Sequence, residues 1–231
     1  VILNQDFGES KAKNGYHIWS KEENASIEDG ALKLTVNVDS KTKTMNGSTM
    51  VSYERFLLKD TVWEIRFKVD KSLGGDWFVF LISPKHSPKS PNVYNQFYST
   101  SDTEELREIT PIELQSTQGN FRSALWLYNT QYNYGSCIDS ERKVSIDDSF
   151  YDEWHTIKFI WGTDSYTCYL DDVQVYEVYK NDIIKNIPEN DLYGSIYLGA
   201  DLMGEWHGVI NPNMPTHSYK VDYVKVWREV K

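Results

Sequence analysis

In the segment Val62-Trp-Glu-Ile-Arg-Phe-Lys-Val69, apolar and charged residues alternate from Trp63 to Val69. A period of two residues predicts a β-strand with one buried face and one solvated face. Trp63, Ile65 and Phe67 fall on the apolar side, and the charged residues between them fall on the other side. Such a strand needs a second apolar layer to cover it, so the fold class depends on how often the pattern recurs.

Short segments of the same kind recur along the whole chain, separated by Gly, Asn, Asp and Pro. Single helical turns are expected only at residues 103–107 and 181–185. Many short strands without an intervening helical repeat predict an all-β, two-sheet curved antiparallel β-sandwich of the jelly-roll kind. Besides residues 62–69, strands are predicted at residues 31–38, 48–56, 77–83, 109–114, 123–128, 155–161, 165–170, 173–179, 195–201 and 219–228.

The length of 231 residues is enough for one well-buried core, so we expect a single domain over residues 1–231. One long irregular stretch, residues 84–108, contains three prolines beside several aromatic residues. Loops of this length in compact domains are usually functional or mobile. We expect this stretch to form one wall of a cleft.

The composition favours a sugar ligand over a nucleic acid or a membrane. The net charge of -10 leaves no basic stripe for phosphate groups. The chain has 16 Tyr and 8 Trp, whose rings either stack on sugars or simply cover a β-rich surface. No apolar run approaches the roughly 18 residues that cross a bilayer. We expect a monomer without membrane insertion, and a secreted, periplasmic or cell-surface location because the chain begins without Met or a hydrophobic leader.

The titratable residues show no pattern for a transition-metal site. The five His residues are dispersed, and Cys137 and Cys168 have neither metal-ligand spacing nor a CxxC arrangement. Whether the two cysteines pair is left open by the sequence.

Several fragments, in this order and spacing, resemble glycoside hydrolase family 16, the laminarinase, lichenase, agarase and carrageenase group. The resemblance covers nearly the whole chain. It implies the curved concanavalin A-like lectin/glucanase sandwich and retaining cleavage of a β-linked polysaccharide. The fragments that carry it are Asn4-Gln-Asp-Phe7, Ala25-Ser-Ile-Glu-Asp-Gly-Ala-Leu-Lys-Leu34, Trp63-Glu-Ile-Arg-Phe67, Asp76-Trp-Phe-Val-Phe-Leu-Ile-Ser-Pro84, Glu153-Trp-His-Thr-Ile157, Tyr169-Leu-Asp-Asp172, Leu198-Gly-Ala-Asp-Leu-Met-Gly-Glu-Trp-His-Gly208 and Val221-Asp-Tyr-Val-Lys-Val-Trp227.

The catalytic pattern of that family is Glu-x-Asp-x-x-Glu, and Glu108-Ile-Thr-Pro-Ile-Glu113 is similar to it. The resemblance implies Glu108 as nucleophile and Glu113 as acid/base. Retaining hydrolysis needs two such carboxyl groups about 5 Å apart. Thr110 replaces the central Asp and contributes no charge, so we expect weak activity or an unusual substrate.

Packing favours this register, since it turns Ile109, Ile112 and Leu114 toward the core. One extra residue must then be absorbed by a β-bulge, which Pro111 suits. A competing register aligns Glu113, Gln115 and Gln118 with the motif and leaves a single carboxylate. A third interpretation is that Glu108 and Glu113 are ordinary exposed strand residues.

Aromatic and polar side chains are the expected sugar contacts. Trp206 matches a tryptophan that family members place in the cleft. Trp77 and Trp126 lie on strands that border the cleft, although a place in the core suits them equally well. Arg122 and Tyr94 are further candidates.

The resemblance also implies a structural calcium, bound by the Asp222 carboxylate and the Gly30 carbonyl, and no cofactor for catalysis. The sequence therefore predicts a retaining endo-glycosidase that acts on a β-linked glucan or galactan in an open cleft. The alternatives are a catalytically degenerate carbohydrate-binding protein on the same fold and an adhesion domain without a sugar site.

Overall fold

The computed structural model of the chain describes residues 3–6, 16–18, 22–39, 41, 44–52, 56–71, 77–83, 105–115, 120–129, 134–137, 142–179, 193–201 and 216–228. Nearly all of these residues belong to β-strands, numbered here in chain order. Within the described residues, helical structure is limited to single 3₁₀ turns at Glu22–Asn24 and Asp148–Phe150.

The strands form two sheets whose ladders are antiparallel. Sheet I contains, in spatial order, β16 (Val173–Tyr179), β15 (Ser165–Leu170), β14 (Trp154–Trp161), β8 (Thr61–Val69), β18 (His217–Arg228), β4 (Ala31–Asp39) and β3 (Ala25–Glu28), with β1 (Leu3–Asp6) on β18 and β5 (Thr44–Asn46) on β4.

Sheet II carries the predicted catalytic strand, β10, near its middle. Its spatial order is β12 (Tyr134–Cys137), β11 (Asn120–Asn129), β10 (Glu105–Gln115), β9 (Trp77–Ser83), β17 (Tyr193–Asp201), β6 (Ser48–Ser52) and β2 (Tyr16–Ile18), with β13 (Arg142–Ser145) on β11 and β7 (Phe56–Leu57) on β17. The two-sheet antiparallel sandwich predicted from the alternation is confirmed.

The core lies between the inner faces of the two sheets. Phe67 of sheet I stacks on Phe78 of sheet II with ring centroids 5.4 Å apart, and Tyr219 stacks on the same Phe78 at 4.9 Å. All three residues are buried. Each large apolar side chain buried in this way contributes about 1.5–3 kcal/mol, so the alternating strands hold the sheets together.

Two hairpin turns in sheet I depend on residues that tolerate positive φ. Asp29 and Gly30 have φ of 52° and 81° and join β3 to β4. Asp171 and Asp172 have φ of 47° and 64° and join β15 to β16. Two consecutive residues with positive φ match the twist of the flanking strands, and Asp and Gly adopt that conformation most readily.

Two predicted segments need correction. The helical turn expected at residues 103–107 is wrong over 105–107, because β10 begins at Glu105. There Glu105 faces Tyr128 and Leu106 faces Leu127 in the ladder with β11, and these long-range pairs outweigh a weak local helical preference. The irregular stretch therefore ends before Glu105, and the turn expected at 181–185 lies outside the described residues. The strand expected at 48–56 divides into β6 and β7.

Cys168 is a buried free thiol, so it forms no disulfide with Cys137. The question that the sequence left open is thereby answered. Among the described residues, no helix is long and apolar enough to span a membrane.

Candidate active site on sheet II

A β-bulge interrupts β10 at the point where the sequence requires one. Against β11, Thr110 faces Ala124 and Glu113 faces Arg122, so three steps along β10 correspond to two steps along β11. The ladder with β9 shows the same extra residue between Ile109 and Ile112. Two independent ladders thus place the bulge at Pro111 and its neighbours.

The bulge resets the alternation of side chains. Ile109, Ile112 and Leu114 belong to the core cluster, which confirms the packing predicted for them. Thr110 and Glu113 therefore both lie on the face of sheet II that points away from the core, here called the distal face. Without the extra residue, positions three apart would lie on opposite faces.

The Pro111 carbonyl at the bulge has a dedicated hydrogen-bond donor. The Ser123 hydroxyl on β11 donates to the Pro111 carbonyl at 2.6 Å, in a buried setting. A bulge breaks the regular ladder, and proline has no N–H to lose at such a place. No local sequence pattern predicts this contact, since Ser123 and Pro111 are brought together only by the register of two strands.

Glu113 and Thr110 are both removed from bulk water. The exposed fraction is 8% for Glu113 and 0% for Thr110. Arg122 lies directly across the ladder from Glu113, where facing side chains approach to about 4.5–5.5 Å between Cβ atoms. Burial strengthens the electrostatic interactions of Glu113 with its neighbours, because less water screens them.

A row of paired positions crosses sheet II at Glu113. From β11 to β6, consecutive Cα partners are Arg122, Glu113, Val79, Gly199 and Thr49. At about 4.8 Å per strand the row spans about 19 Å, a length suited to an extended ligand. The Thr49 hydroxyl is buried and has no hydrogen-bond partner in the described part of the chain. Sequence reasoning missed this residue because no local pattern marks it.

Of the other residues predicted for catalysis or sugar binding, the structure describes the backbone of some and none of the side chains. Glu108 lies on β10 opposite Trp126, and Trp77 opens β9, but the side chains of these three residues lie outside the described ones. Tyr94 and Trp206 lie wholly outside the described residues. Of the predicted set, Thr110, Glu113 and Arg122 are the residues that the described part of the sheet brings together.

The structure describes only the first two positions of the competing motif register, Glu113 and Gln115. Gln115 is the last residue of β10, two positions after Glu113, and Gln118 lies outside the described residues. Both registers turn Glu113 away from the core, so the alternative with a single carboxylate stays open.

Of the two residues predicted to hold calcium, Asp222 forms a salt bridge. The Asp222 carboxylate lies 2.6 Å from the Arg66 guanidinium, so its charge already has a cationic partner. Gly30 lies in the β3–β4 turn. In the described part of the chain, no group of three or more His, Cys, Asp or Glu residues could hold a metal ion. The calcium site stays a prediction, and nothing in the chemistry proposed below depends on it.

No protein-family model matches the chain, and no curated protein does. Solved structures match over nearly their whole length. They include a glycoside hydrolase family 16 endo-glucanase from Bacteroides ovatus, with a TM-score of 0.74 and 15% identity over 98% of this chain and 100% of that one. This chain shares the fold of that hydrolase.

Two further structures give the same result. The endo-β-1,3-glucanase from Pyrococcus furiosus matches with a TM-score of 0.74 and 17% identity, over 100% of this chain and 95% of that one. The laminarinase from Flavobacterium sp. UMI-01 matches with a TM-score of 0.75 and 16% identity, over 99% of this chain and 100% of that one. At such identities the matches show a shared fold only. The function of the site is therefore inferred from the residues of β10.

Proposed function

We propose that the protein is a retaining endo-glycosidase that cleaves a β-linked glucan on the distal face of sheet II. The observation that carries the proposal is the bulge at Pro111, which brings Thr110 and Glu113 to one face of the strand in the middle of the sheet. Glu108 belongs to the same strand. The position of both glutamates on one strand supports a two-carboxylate mechanism.

Hydrolysis proceeds in two displacements. First, the Glu108 carboxylate bonds to the anomeric carbon while the glycosidic C–O bond breaks, and Glu113 gives its proton to the leaving oxygen. Water then attacks the anomeric carbon, Glu113 takes a proton from that water, and the bond to Glu108 breaks. The anomeric configuration is inverted twice and therefore retained.

Glucan is proposed over galactan because the matching structures cited above are named as glucanases or a laminarinase. An internal cut suits the row from Arg122 to Thr49, which extends to both sides of Glu113. The secreted or cell-surface location expected from the sequence suits a polymeric substrate.

The test is the release of reducing sugar from laminarin, mixed-linkage β-glucan, agarose and κ-carrageenan. We expect release from one or both glucans and none from the galactans. The Glu108→Gln, Glu113→Gln double variant at equal concentration is the control, since it keeps the shape of both side chains. Release of sugar from a galactan alone would show that the substrate is a galactan and not a glucan. No release from any polymer would contradict the proposal that the protein is a hydrolase.

A second candidate function is sugar binding without catalysis. The observation that favours it is Thr110, which lies fully buried where the resembled pattern has a carboxylate. A neutral hydroxyl cannot help to separate the proton affinities of two neighbouring glutamates. Retarded migration of the native protein in a glucan-containing gel, without release of sugar, would identify this function.

Restoring the central carboxylate tests the role of Thr110. We expect Thr110→Asp to raise kcat on the preferred glucan about tenfold, a gain of about 1.4 kcal/mol in transition-state stabilisation. The same change is expected to lower the thermal unfolding temperature, because the position is buried and a carboxylate resists burial. Steady-state kinetics and calorimetry measure the two effects.

Thr110→Asn is the matched control for that change, because it has nearly the same size as Asp and no charge. It is expected to leave kcat at or below the native value. Equal rates for the two variants would show that no carboxylate is missing at this position.

A further inference from the structure

A buried hydrogen bond joins β11 to β10 at the bulge in sheet II. The Ser123 hydroxyl donates to the Pro111 carbonyl at 2.6 Å. A carbonyl can only accept, so the hydroxyl proton of Ser123 points to Pro111.

The Pro111 carbonyl that accepts this hydrogen bond lies within the bulge. Ser123 and Pro111 are both buried, so water cannot replace the bond. A buried carbonyl left without a donor costs about 1–3 kcal/mol. Glu113 follows Pro111 by two residues. The extra residue in the bulge determines on which face of the sheet the Glu113 side chain lies.

We propose that Ser123 is a positioning residue that holds the Pro111 bulge and thereby sets the place of the Glu113 carboxyl. The inference rests on the function proposed above. Ser123 lies on the core side of β11, because Phe121 two residues earlier belongs to the core cluster. It therefore touches no substrate and acts only through the backbone of β10.

Ser48 offers a matched control in the same sheet. Its hydroxyl also donates to a backbone carbonyl, that of Asn24, at 3.1 Å in a buried setting on β6. Ser48→Ala and Ser123→Ala remove the same kind of bond at equal burial. We expect similar losses of stability for both variants. A difference in kcat between them is therefore caused by the effect of Ser123 on the bulge.

The first readout separates kcat from KM on the glucan that the native protein cleaves fastest. Ser123→Ala is expected to lower kcat by about 10-fold to 100-fold, as a displaced catalytic group does, with KM changed less than about twofold. Ser48→Ala is expected to keep the native kcat. Ser123→Cys keeps a weaker donor at the same place and is expected to fall between the native protein and Ser123→Ala.

The second readout does not depend on activity. Hydrogen exchange of residues 106–115 in the full chain is expected to quicken about tenfold in Ser123→Ala, because an open bulge protects its amides less, and to stay native in Ser48→Ala. If the native protein cleaves no polymer, the proposed function fails while this readout still tests the inference. Unchanged exchange in Ser123→Ala, or an equal fall of kcat in both alanine variants, would overturn the inference.

Discussion

Replacing Glu113 by Gln is expected to lower kcat/KM on the preferred glucan by about 10²–10⁴-fold, the usual contribution of a general acid/base. Gln has the same shape and can neither give a proton to the leaving oxygen nor take one from water. The loss should shrink on an aryl β-glycoside with an acidic phenol, because such a leaving group departs without protonation. Parallel assays on the polymer and on the aryl glycoside measure this difference.

Glu64→Gln is the control for that variant. Glu64 lies half-buried on β8 in sheet I, where it accepts a hydrogen bond from the Tyr223 hydroxyl at 2.9 Å. The control is expected to keep native turnover with a small loss of stability. A native rate for Glu113→Gln would remove Glu113 from the mechanism and favour sugar binding without catalysis.

Replacing Glu108 by Ala is expected to reduce turnover more, by at least about 10⁴-fold, because the covalent step is lost altogether. Sodium azide then supplies the missing nucleophile in the space that the side chain leaves. With an aryl β-glycoside, one displacement by azide gives the α-glycosyl azide. Product analysis by proton NMR identifies that anomer.

The Glu113 variant should give the opposite anomer with azide. There the covalent bond to Glu108 still forms, and azide attacks the intermediate in place of water, so two displacements give the β-glycosyl azide. The pair of outcomes assigns the two glutamates without reference to a structure. The same anomer from both variants would contradict the assignment of roles.

Much of the fold follows from short-range pattern. The alternation in residues 62–69 predicts β8, and its apolar residues Trp63, Ile65 and Phe67 are all buried. The bulge was predictable as well, because Ile109, Ile112 and Leu114 cannot all face the core on a regular strand. A two-residue periodicity depends only on residues that are neighbours in the chain, so it can be recognised from the sequence alone.

The features that the sequence did not reveal depend on register between distant strands. Ser123 contacts Pro111 across 12 positions, Arg66 contacts Asp222 across 156, and no local pattern predicts either pair. The calcium pattern likewise names the Asp222 carboxylate and carries no information about its Arg66 neighbour. The short segment 105–107 was misassigned for a related reason, because its strand pairing depends on β11.

Double displacement by two carboxylates on β10 determines the anomeric configuration of the first product. Proton NMR during cleavage of a β-glucan oligosaccharide by the native protein follows the new reducing end before mutarotation. We expect the β-anomer to appear first and the α-anomer to grow in later. First appearance of the α-anomer, or no new reducing end at enzyme concentrations that saturate binding, would contradict double displacement.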